Sequence, residues 1–432
     1  MMYLIDPTKS LSGSVRIPGS KSGTARGIVL GTLAKGETRI YNPMPGIDSY
    51  SIINCCRTLG AKIDCSSDSE WIIEGIGMDL KAPAAVLDVG NSGTGYYIIT
   101  TVASLIKGKT IITGDYQICY RPIAPLLKAI RELGGKATST RDNELAPLMI
   151  EGPIQGGRTV QFPGVNVQWL IGLLISCPSL QGDTRIVVDN LGERPYASLT
   201  LDWLNAAGIK ITNNNFEEFI IPGGQTYQPF TKTVPSDWCG ATYPMVAAAI
   251  TDSKITIQNM DINDHQGEKV FVEIIRDMGG KVEVRNNGRD GVVIEGGSVL
   301  HGIEIDCRNM PDAIPALAVL GCKAEGKTVL KNIQACRLKE TDRAKSIKEE
   351  LTKMGGKFDE TEDSLTIYHS ELKGTRLSGH HDHRIVMACS CAALAAEGST
   401  LIDSAEFVGV SFPRFYEEMT GIGANIKRLT EK

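Results

Sequence analysis

The chain has 432 residues, of which 42% are hydrophobic, and a formal net charge of −5. A chain of this size buries a large core and is expected to form two or more domains. Because it has no basic run, we expect no nucleic-acid partner, and no segment reaches the roughly 18 uninterrupted apolar residues of a membrane helix.

The cysteines indicate the compartment in which the chain works. Eleven cysteines are scattered without regular spacing, which is typical of reduced thiols and not of a disulfide framework. Met1–Lys9 does not have the charged-then-apolar plan of a signal peptide. These features predict a cytoplasmic protein.

A helix-like stretch that ends in the pattern apolar-Gly-small-Lys recurs six times, and a short apolar segment follows each turn. The turn glycines lie 68 to 76 residues apart; they are Gly60, Gly134, Gly208, Gly279, Gly355 and, in a looser form, Gly423. Because a helix commonly ends at a residue of positive φ, each glycine is predicted to end a helix. A fixed period predicts a fold built from six repeats, which divide most simply into three and three.

Within each repeat we predict a strand, a loop, a helix, the glycine turn and another strand. In chain order, the clearest elements are a helix at Ser51–Leu59, strands at Trp71–Ile73, Thr110–Thr113, Val292–Ile294 and Val329–Leu330, and a helix at Ile347–Met354. The strands that begin at Trp71 and Val292 lead into Glu-Gly, which predicts a turn. Residues 223–236, rich in Gly, Pro and Thr, predict a crossing between domains.

Polar residues concentrate at loop-to-helix junctions, and the first two suit anions. Pro18–Arg26 combines a helix start with hydroxyls, Lys21 and Arg26, which fits a phosphate or carboxylate. The spacing is not that of a Walker P-loop, and a capped helix with solvated cations is the alternative. Gly90–Gly95 predicts either close approach of the backbone to a ligand or an ordinary turn.

Two later junctions are highly charged. Arg337–Arg343 is either a charged binding segment or a solvated helix face. His380–Arg384 places three histidines beside an aspartate, but no further thiol or carboxylate completes a metal site, so we predict no metal. Asp312 opens an apolar helix, where a carboxylate commonly interacts with the helix N-terminus.

The junction motifs occur in a characteristic order: Gly-Ser-Lys-Ser, Gly-Asn-Ser-Gly-Thr, Arg-Pro, Lys-Glu-Thr-Asp-Arg and Asp-His-Arg. With six α/β repeats, this order resembles the enolpyruvyltransferase family over essentially the whole chain, and the EPSP synthases within it most closely. The resemblance implies an inside-out α/β barrel of two domains, each with three βαβαββ-type repeats, that close around substrate. The expected domains are 1–20 with 236–432, and 21–235.

The resemblance also implies the chemistry. It predicts transfer of the enolpyruvyl group of phosphoenolpyruvate to the 5-hydroxyl of 3-phosphoshikimate, through a tetrahedral intermediate that releases phosphate. No metal or organic cofactor is implied. The expected partners are these small molecules, with no nucleic acid and no membrane, and we expect a monomer.

By position, the resemblance assigns each site residue a role. Asp312 would take the hydroxyl proton and Glu340 would handle the C3 proton, and the catalytic set is Asp312, Glu340, Lys21 and His383. The phosphoenolpyruvate set, rich in forked or clustered cations, is Lys21, Gly93, Arg121, Gln168, Arg343 and Arg384. The acceptor set is Ser22, Arg26, Asn166, Gln168, Glu193, Tyr196, Asp312 and Lys339.

Six positions depart from the EPSP synthase pattern: Asn166, Val167, Glu193 and Ala335 on the acceptor side, and Tyr97 and Val410, which stand where cations are usual. A glutamate beside an acceptor phosphate would repel it. Three hypotheses therefore stay open: an EPSP synthase, a diverged enzyme for an unphosphorylated or altered shikimate-like ring (by transfer or elimination), and a non-catalytic binding protein. A UDP-N-acetylglucosamine branch is poorly supported, because Cys119 is not spaced like its reactive cysteine.

Overall fold

The computed structural model describes residues 1–429. They fall into two compact units: Gly19–Val234, and Met1–Pro18 together with the chain from Pro235 to the end of the described residues. The chain therefore passes from one unit to the other twice. Among the described residues, no helix combines the length and apolar character needed to cross a bilayer.

Twelve α-helices and 24 β-strands occur within residues 1–429. The helices are α1 (Lys21–Leu33), α2 (Ile47–Thr58), α3 (Gly93–Ala103), α4 (Ala124–Glu132), α5 (Val167–Ser176), α6 (Arg194–Ala206), α7 (Trp238–Ala249), α8 (Phe271–Asp277), α9 (Ile314–Lys323), α10 (Arg343–Lys353), α11 (His383–Leu394) and α12 (Phe415–Gly421).

The strands are β1 (Met2–Ile5), β2 (Ser12–Arg16), β3 (Lys35–Tyr41), β4 (Lys62–Asp64), β5 (Glu70–Ile76), β6 (Leu87–Asp88), β7 (Gly108–Thr113), β8 (Lys136–Ser139), β9 (Leu148–Gly152), β10 (Thr159–Pro163), β11 (Thr184–Asp189), β12 (Thr212–Asn214), β13 (Glu218–Ile221), β14 (Thr231–Thr233), β15 (Lys254–Gln258), β16 (Lys281–Val284), β17 (Val292–Glu295), β18 (Glu304–Asp306), β19 (Lys327–Lys331), β20 (Lys357–Glu360), β21 (Ser364–Tyr368), β22 (Arg376–Leu377), β23 (Thr400–Ile402) and β24 (Ile426–Leu429). The strands expected from the sequence lie within these elements, and the two expected helices lie within α2 and α10 except for their last residues, Leu59 and Met354.

Across the described chain, the strands form six four-stranded sheets of one plan. In each sheet an edge strand runs parallel to its neighbour, and the other pairs are antiparallel. The orders are β14-β3-β5-β4, β6-β7-β9-β8 and β10-β11-β13-β12 in the Gly19–Val234 unit, and β2-β15-β17-β16, β18-β19-β21-β20 and β22-β23-β1-β24 in the other. The predicted α/β fold of six βαβαββ-type repeats is confirmed.

Two repeats take their edge strand from a distant part of the chain. Strand β2 precedes α1 of the Gly19–Val234 unit in the chain, but it pairs in parallel with β15 of the unit that contains Met1–Pro18. Strand β14, which leads into α7, pairs with β3. The N-terminal strand β1 fills the third place in the sheet of the sixth repeat. The chain crossings therefore exchange strands between repeats 1 and 4.

The six turn glycines end their helices as predicted. All have a positive φ, from 78° at Gly208 to 113° at Gly60. In each turn the residue after the glycine donates its N–H to the carbonyl five residues back, as Ala61 does to Cys56 at 3.1 Å. This pattern is the Schellman motif, and it explains why the repeat carries glycine at this point.

The turn predicted at Glu74-Gly75 is wrong, because β5 continues through both residues to Ile76. Gly75 is required by close approach: a Cβ there would lie 2.0 Å from the carbonyl oxygen of Gly31 in α1. Glycine at this position allows β5 to pack closely against α1, and the strand continues through it.

Three helices in each unit are almost entirely buried. In one unit they are α1, α3 and α5, and in the other α7, α9 and α11, with every residue of α7 and α11 buried. Helices that are apolar on all sides are expected in a core, and each trio lies within its unit's hydrophobic cluster. Of the polar junctions of the sequence, 18–26, 90–95 and 380–384 lie at the N-termini of α1, α3 and α11, whereas 337–343 leads into the partly exposed α10.

We expect Gly60→Ala to lower the free energy of unfolding by about 1–3 kcal/mol, because alanine at this φ is strained. A Cβ at Gly60 meets nothing closer than 3.7 Å, so the loss would measure the backbone alone. Gly421→Ala is the matched control, since its Cβ would have no neighbour within 4 Å and its φ is not positive. Urea unfolding of both variants is the measurement, and equal effects would contradict the assignment.

Candidate active site

In the Gly19–Val234 unit, neutral side chains cap the N-termini of the three buried helices. Ser20 accepts a hydrogen bond from the Gly23 N–H of α1, and Ser92 accepts one from the Gly95 N–H of α3. Asn166 accepts one from the Gln168 N–H of α5. Because none of these caps is charged, the partial positive charge at each helix start is not neutralised by its cap, which favours an anionic ligand.

Lys21 is the first residue of α1, and a buried ion pair holds its side chain. Its Nζ lies 3.0 Å from Oδ2 of Asp48, and only 15% of the lysine side chain is exposed. The loop before α1 is closely packed, since a Cβ on Gly19 would lie 1.9 Å from the carbonyl oxygen of Asn42. The ammonium group is therefore fixed at a helix start and keeps part of its surface accessible.

Arg121 lies against the start of α3. Its guanidinium atoms are 3.7 Å from the position a Cβ would take on Gly93, so a side chain at residue 93 would crowd it. In the preceding loop, Asn91 donates to Asp115 at 2.6 Å and also contacts Gln117. The arrangement places a buried guanidinium beside the N-terminus of α3, which suits a phosphate or carboxylate.

Arg26 lies inside this unit and is fully buried. Its guanidinium donates to Thr200 Oγ1 at 2.8 Å and to the carbonyl oxygens of Ser22 at 2.7 Å and Tyr196 at 3.4 Å. Burial lowers the pKa of Arg26 to about 10, opposed by the nearby Tyr196. In this structure Arg26 therefore ties the start of α1 to the start of α6, and Ser22 and Tyr196 are held at those two helix starts.

Two of the six positions that depart from the family pattern contact each other. The Tyr97 hydroxyl donates to the Pro122 carbonyl at 3.1 Å, and the Asn166 side chain donates to that hydroxyl at 3.4 Å. Trp169 Nε1 also donates to Pro122, at 3.3 Å. The buried Tyr97 thus joins the starts of α3 and α5 to the residue that follows Arg121.

Glu193, Val167 and Gln168 also lie close to the helix starts of this unit. Glu193 directly precedes α6 with a φ of +49° and is 2% exposed. Val167 is fully buried. Gln168 is partly exposed, and its Oε1 is buried and accepts no hydrogen bond from any described residue.

In the other unit, one buried guanidinium holds three carboxylates. Arg343 donates to Asp312 at 2.6 Å through one terminal nitrogen and to Asp382 at 2.8 Å through Nε, and its other terminal nitrogen contacts Glu340. These four residues form the guanidinium–carboxylate cluster. Its charges raise the pKa of Arg343 well above the usual value, although burial alone would lower it.

Asp312 is the member of this cluster best placed to act as a base. Burial alone would raise its pKa, but Lys339 at 3.6 Å, Arg343 and Arg384 outweigh it and hold the pKa below the usual value. Its side chain is 20% exposed, whereas that of Asp382 is fully buried. Asp312 is therefore ionised at neutral pH and partly accessible.

Sequence reasoning missed a second acid beside Asp312. Glu268, in the 3-10 helix Gly267–Val270, has a carboxylate oxygen that lies with a carboxylate oxygen of Asp312 and Sγ of Cys239 within 4.8 Å of one another. Burial, reinforced by the charge of Asp312, raises the pKa of Glu268 to about 7. No motif marks Glu268, because a lone acid in a polar loop carries no sequence signal.

We assign no metal to these three residues. Burial keeps the pKa of the Cys239 thiol well above its usual value, whereas a metal binds the thiolate. Asp312 already faces Arg343 and Lys339, which a divalent ion would have to displace.

The three histidines of 380–384 have separate surroundings. His380 Nε2 lies 2.6 Å from Glu350, and His381 stacks on Phe407 with ring centroids 5.0 Å apart. His383 is buried, with Nδ1 3.8 Å from Oδ1 of Asp382. No shared metal site brings the three rings together.

Arg384 follows at the start of α11 and is 3% exposed. One terminal nitrogen lies 3.8 Å from Asp237, and the guanidinium lies over the ring of Tyr243. Its Nε and its other terminal nitrogen are buried, and no described residue accepts a hydrogen bond from them. These donors suit a ligand with anionic oxygens.

The structure thus collects the predicted residues into two sets, one in each unit. One set, at the starts of α1, α3, α5 and α6, contains Lys21, Ser22, Gly93, Arg121, Asn166, Gln168, Glu193 and Tyr196, with Arg26 beneath it. The other contains Asp312, Lys339, Glu340, Arg343, His383 and Arg384. Ala335 is partly exposed in the 3-10 helix Gln334–Leu338, and Val410 is buried in the one at Ala405–Val410.

Each unit thus has features that suit small anionic molecules: fixed cations at helix starts in one, and an ionised carboxylate beside guanidinium groups in the other. The family model for EPSP synthase (3-phosphoshikimate 1-carboxyvinyltransferase) matches residues 5–419, and the chain belongs to this family.

Full-length relatives agree with this assignment. The chain is 43% identical to the 3-phosphoshikimate 1-carboxyvinyltransferase of Ruminiclostridium cellulolyticum, over 99% of this chain and all of that one. It is 41% identical to the enzyme of the same name from Methanocaldococcus jannaschii, with the same coverage. Among solved structures, an EPSP synthase from Acinetobacter baumannii superposes with a TM-score of 0.83 at 30% identity, over 99% of both chains.

The His380–Glu350 pair predicts a pH-dependent stability. The hydrogen bond to Glu350 raises the pKa of His380 above 6.5. The ion pair therefore makes its full contribution to the free energy of unfolding below pH 6.5, and this contribution is lost as the pH rises through the raised pKa. We expect His380→Asn, which tolerates the residue's φ of +50°, to cost about 1 kcal/mol at pH 5.5 and little at pH 9.

Thermal unfolding across this pH range measures the effect. The control is His369→Asn, since His369 lies 3.4 Å from an exposed Glu371 and should change stability little at any pH. A loss for His380→Asn that is independent of pH would contradict the ion pair.

Proposed function

We propose that this chain transfers the enolpyruvyl group of phosphoenolpyruvate to the 5-hydroxyl of 3-phosphoshikimate and releases phosphate. The names of its full-length relatives support this activity. The observation that carries it is the guanidinium–carboxylate cluster, in which Arg343 holds Asp312 and Glu340 side by side. The reaction needs a base for a hydroxyl proton and an acid for a carbon, and two fixed carboxyl groups fit these roles.

In the proposed addition step, Asp312 removes the proton of the acceptor hydroxyl as its oxygen bonds to C2 of phosphoenolpyruvate. Glu340 supplies a proton to C3, which becomes a methyl group in a tetrahedral intermediate. In the elimination step, C3 returns its proton to Glu340 as the C2–O bond to phosphate breaks. The phosphate leaves with the proton that came from the hydroxyl, so atoms and charges balance.

The cations are proposed to bind the two anionic substrates. Arg384 has buried donors that no described residue uses, and Lys21 and Arg121 lie at neutral-capped helix starts. We propose that these groups, with Arg343, Gly93 and Gln168, bind the carboxylate and phosphate of phosphoenolpyruvate. Lys339, 3.6 Å from Asp312, is proposed to bind the acceptor beside the base, with Ser22, Asn166, Glu193 and Tyr196 completing that set. The buried Arg26, predicted from the sequence to bind the acceptor, instead holds the starts of α1 and α6 in place beneath them.

A second candidate is an enzyme of this family that acts on an unphosphorylated or altered ring. The observation that favours it is the acid at position 193: Glu193 lies directly at the start of α6, where a charge would oppose an acceptor phosphate. The contact between Tyr97 and Asn166 also reshapes the starts of α3 and α5. A non-catalytic binding protein is less favoured, because a base, an acid and their cations are all present.

We also propose a cytoplasmic monomer. All eleven cysteines are free thiols and nine are buried, which suits a reducing compartment. Each unit buries its own hydrophobic cluster, so neither requires a partner chain to complete a core.

The activity predicts phosphate release when the protein is mixed with phosphoenolpyruvate and 3-phosphoshikimate. We expect Asp312→Asn to lower kcat by about 10²–10⁴-fold, the usual contribution of a general base. Asp290→Asn, at an exposed aspartate of the same unit, should leave kcat unchanged. If the wild-type protein released no phosphate even at high enzyme concentration, the proposed reaction would be excluded.

Removing the charge of Glu193 tests the acceptor. If its carboxylate faces the acceptor phosphate, Glu193→Gln should lower the Kd for 3-phosphoshikimate by about 10-fold, equivalent to roughly 1.4 kcal/mol, and leave the Kd for shikimate unchanged. Calorimetric titration measures both, with Glu217→Gln, at an exposed position, as the control. Wild-type protein that binds shikimate but not 3-phosphoshikimate would instead support the second candidate.

A further inference from the structure

Glu268 is buried next to the proposed base and has no part in the reaction described above. Its residue is 0% exposed, whereas the side chain of Asp312 is 20% exposed. Their carboxylate oxygens, together with Sγ of Cys239, lie within 4.8 Å of one another. Of the two acids, Asp312 is thus the one open to a ligand, and Glu268 lies behind it.

The short helix that carries Glu268 is firmly held against the start of α7. The Gln266 side chain accepts from the Trp238 N–H at 3.0 Å and donates to the Ser236 carbonyl at 2.8 Å. Gln266 is itself 1% exposed. The position of Glu268 relative to Cys239, the second residue of α7, is therefore fixed by hydrogen bonds independent of its own carboxyl group.

Charged and titratable groups face Glu268 from each element packed around it. Asp237 and Cys239 come from the start of α7, and Asp312 comes from the 3-10 helix ahead of α9. On the same short helix as Glu268, Lys269 Nζ donates a hydrogen bond to the Asp264 carbonyl oxygen at 2.7 Å. Arg384 of α11 acts on Cys239 and Asp312.

These surroundings shift the pKa values of Glu268 and Asp312 in opposite directions. Burial and the charges of Asp312 and Asp237 raise the pKa of Glu268 to about 7, and the Cys239 thiol donates a hydrogen bond that partly opposes this rise. The cations around Asp312 hold its pKa below the usual value. A proton placed on Asp312 is therefore more stable once it has moved to Glu268.

We propose that Glu268 stores the acceptor proton: it receives from Asp312 the proton taken from the acceptor hydroxyl and returns it through Asp312 to the departing phosphate. This role rests on the proposed function. The O–H bond of the hydroxyl breaks, an O–H bond forms on Asp312 and then on Glu268, and the second transfer leaves Asp312 ionised. In the elimination step the same proton reverses this path, so no further reactant is needed.

There is a physical reason for holding the proton on Glu268. A base held ionised by three cations gives up a proton readily, so Asp312 alone would hold it poorly while the tetrahedral intermediate exists. Glu268 has no exposure to solvent and therefore does not exchange the proton directly with water. In this proposal Glu268 takes up the reacting proton through Asp312 and does not touch substrate.

The test compares the pH dependence of kcat in wild type, Glu268→Gln and Glu268→Asp. Since Glu268 must be ionised to accept the proton, wild-type kcat should fall on the acid side near pH 7. We expect Glu268→Gln to lower kcat at pH 8 by 10-fold or more with KM changed less than 3-fold, and to lose this acid-side fall. Glu268→Asp should restore a pH-dependent kcat.

Infrared spectroscopy of the ligand-free protein tests the proton site without turnover. The wild-type protein should show the C=O band of a protonated carboxyl group that titrates near pH 7, and the band should be absent in Glu268→Gln. Glu273→Gln, at an exposed position on α8, should keep both the band and wild-type kcat.

The outcomes separate the two proposals. If wild type releases no phosphate but shows the band, the proposed reaction fails and the protonated carboxyl group stands. If wild type turns over while Glu268→Gln keeps wild-type kcat and the same pH profile, the proton store is overturned. A wild-type spectrum without the titrating band would overturn it as well.

Discussion

Burial of six apolar helices is the constraint on which the rest of the structure depends. Such a helix has no face for water, so three of them must pack together in each unit, with sheets and amphipathic helices around them. Polar groups are required at their N-termini, because the first N–H groups of a helix have no hydrogen-bond partner within it. Lys21, Gly93, Asn166 and Arg384 lie at these starts for that reason, whereas Tyr196 and Arg343 lie at the starts of the outer helices α6 and α10.

The two units satisfy their helix starts differently, and this difference underlies the proposed division between binding and acid–base chemistry. Serine and asparagine cap α1, α3 and α5, so Lys21 and Arg121 reinforce a positive potential. In the other unit, Asp237 and Asp382 cap α7 and α11, and these anions would repel a ligand without Arg343 and Arg384. Buried charges of both signs must be paired there, since an isolated one is strongly destabilising.

That pairing also sets the proton chemistry. The cations that pair with the carboxylates hold Asp312 ionised, while burial and the charge of Asp312 raise the pKa of Glu268 to about 7. The surroundings of these two carboxyl groups give them different pKa values. Such a difference allows one group to accept a proton and another to hold it at neutral pH.

The sequence by itself determined the repeat and the family, and it predicted most residues of the candidate site. Glycine at positive φ and helix-start motifs are local signals, readable because their physical causes lie within a few residues. Strand exchange, the close approach that requires Gly75, the inward position of Arg26 and the proximity of Glu268 to Asp312 were decided only by the tertiary structure. Each depends on groups far apart in the chain, 44 residues in the last case, and burial and charge at such distances leave no local pattern.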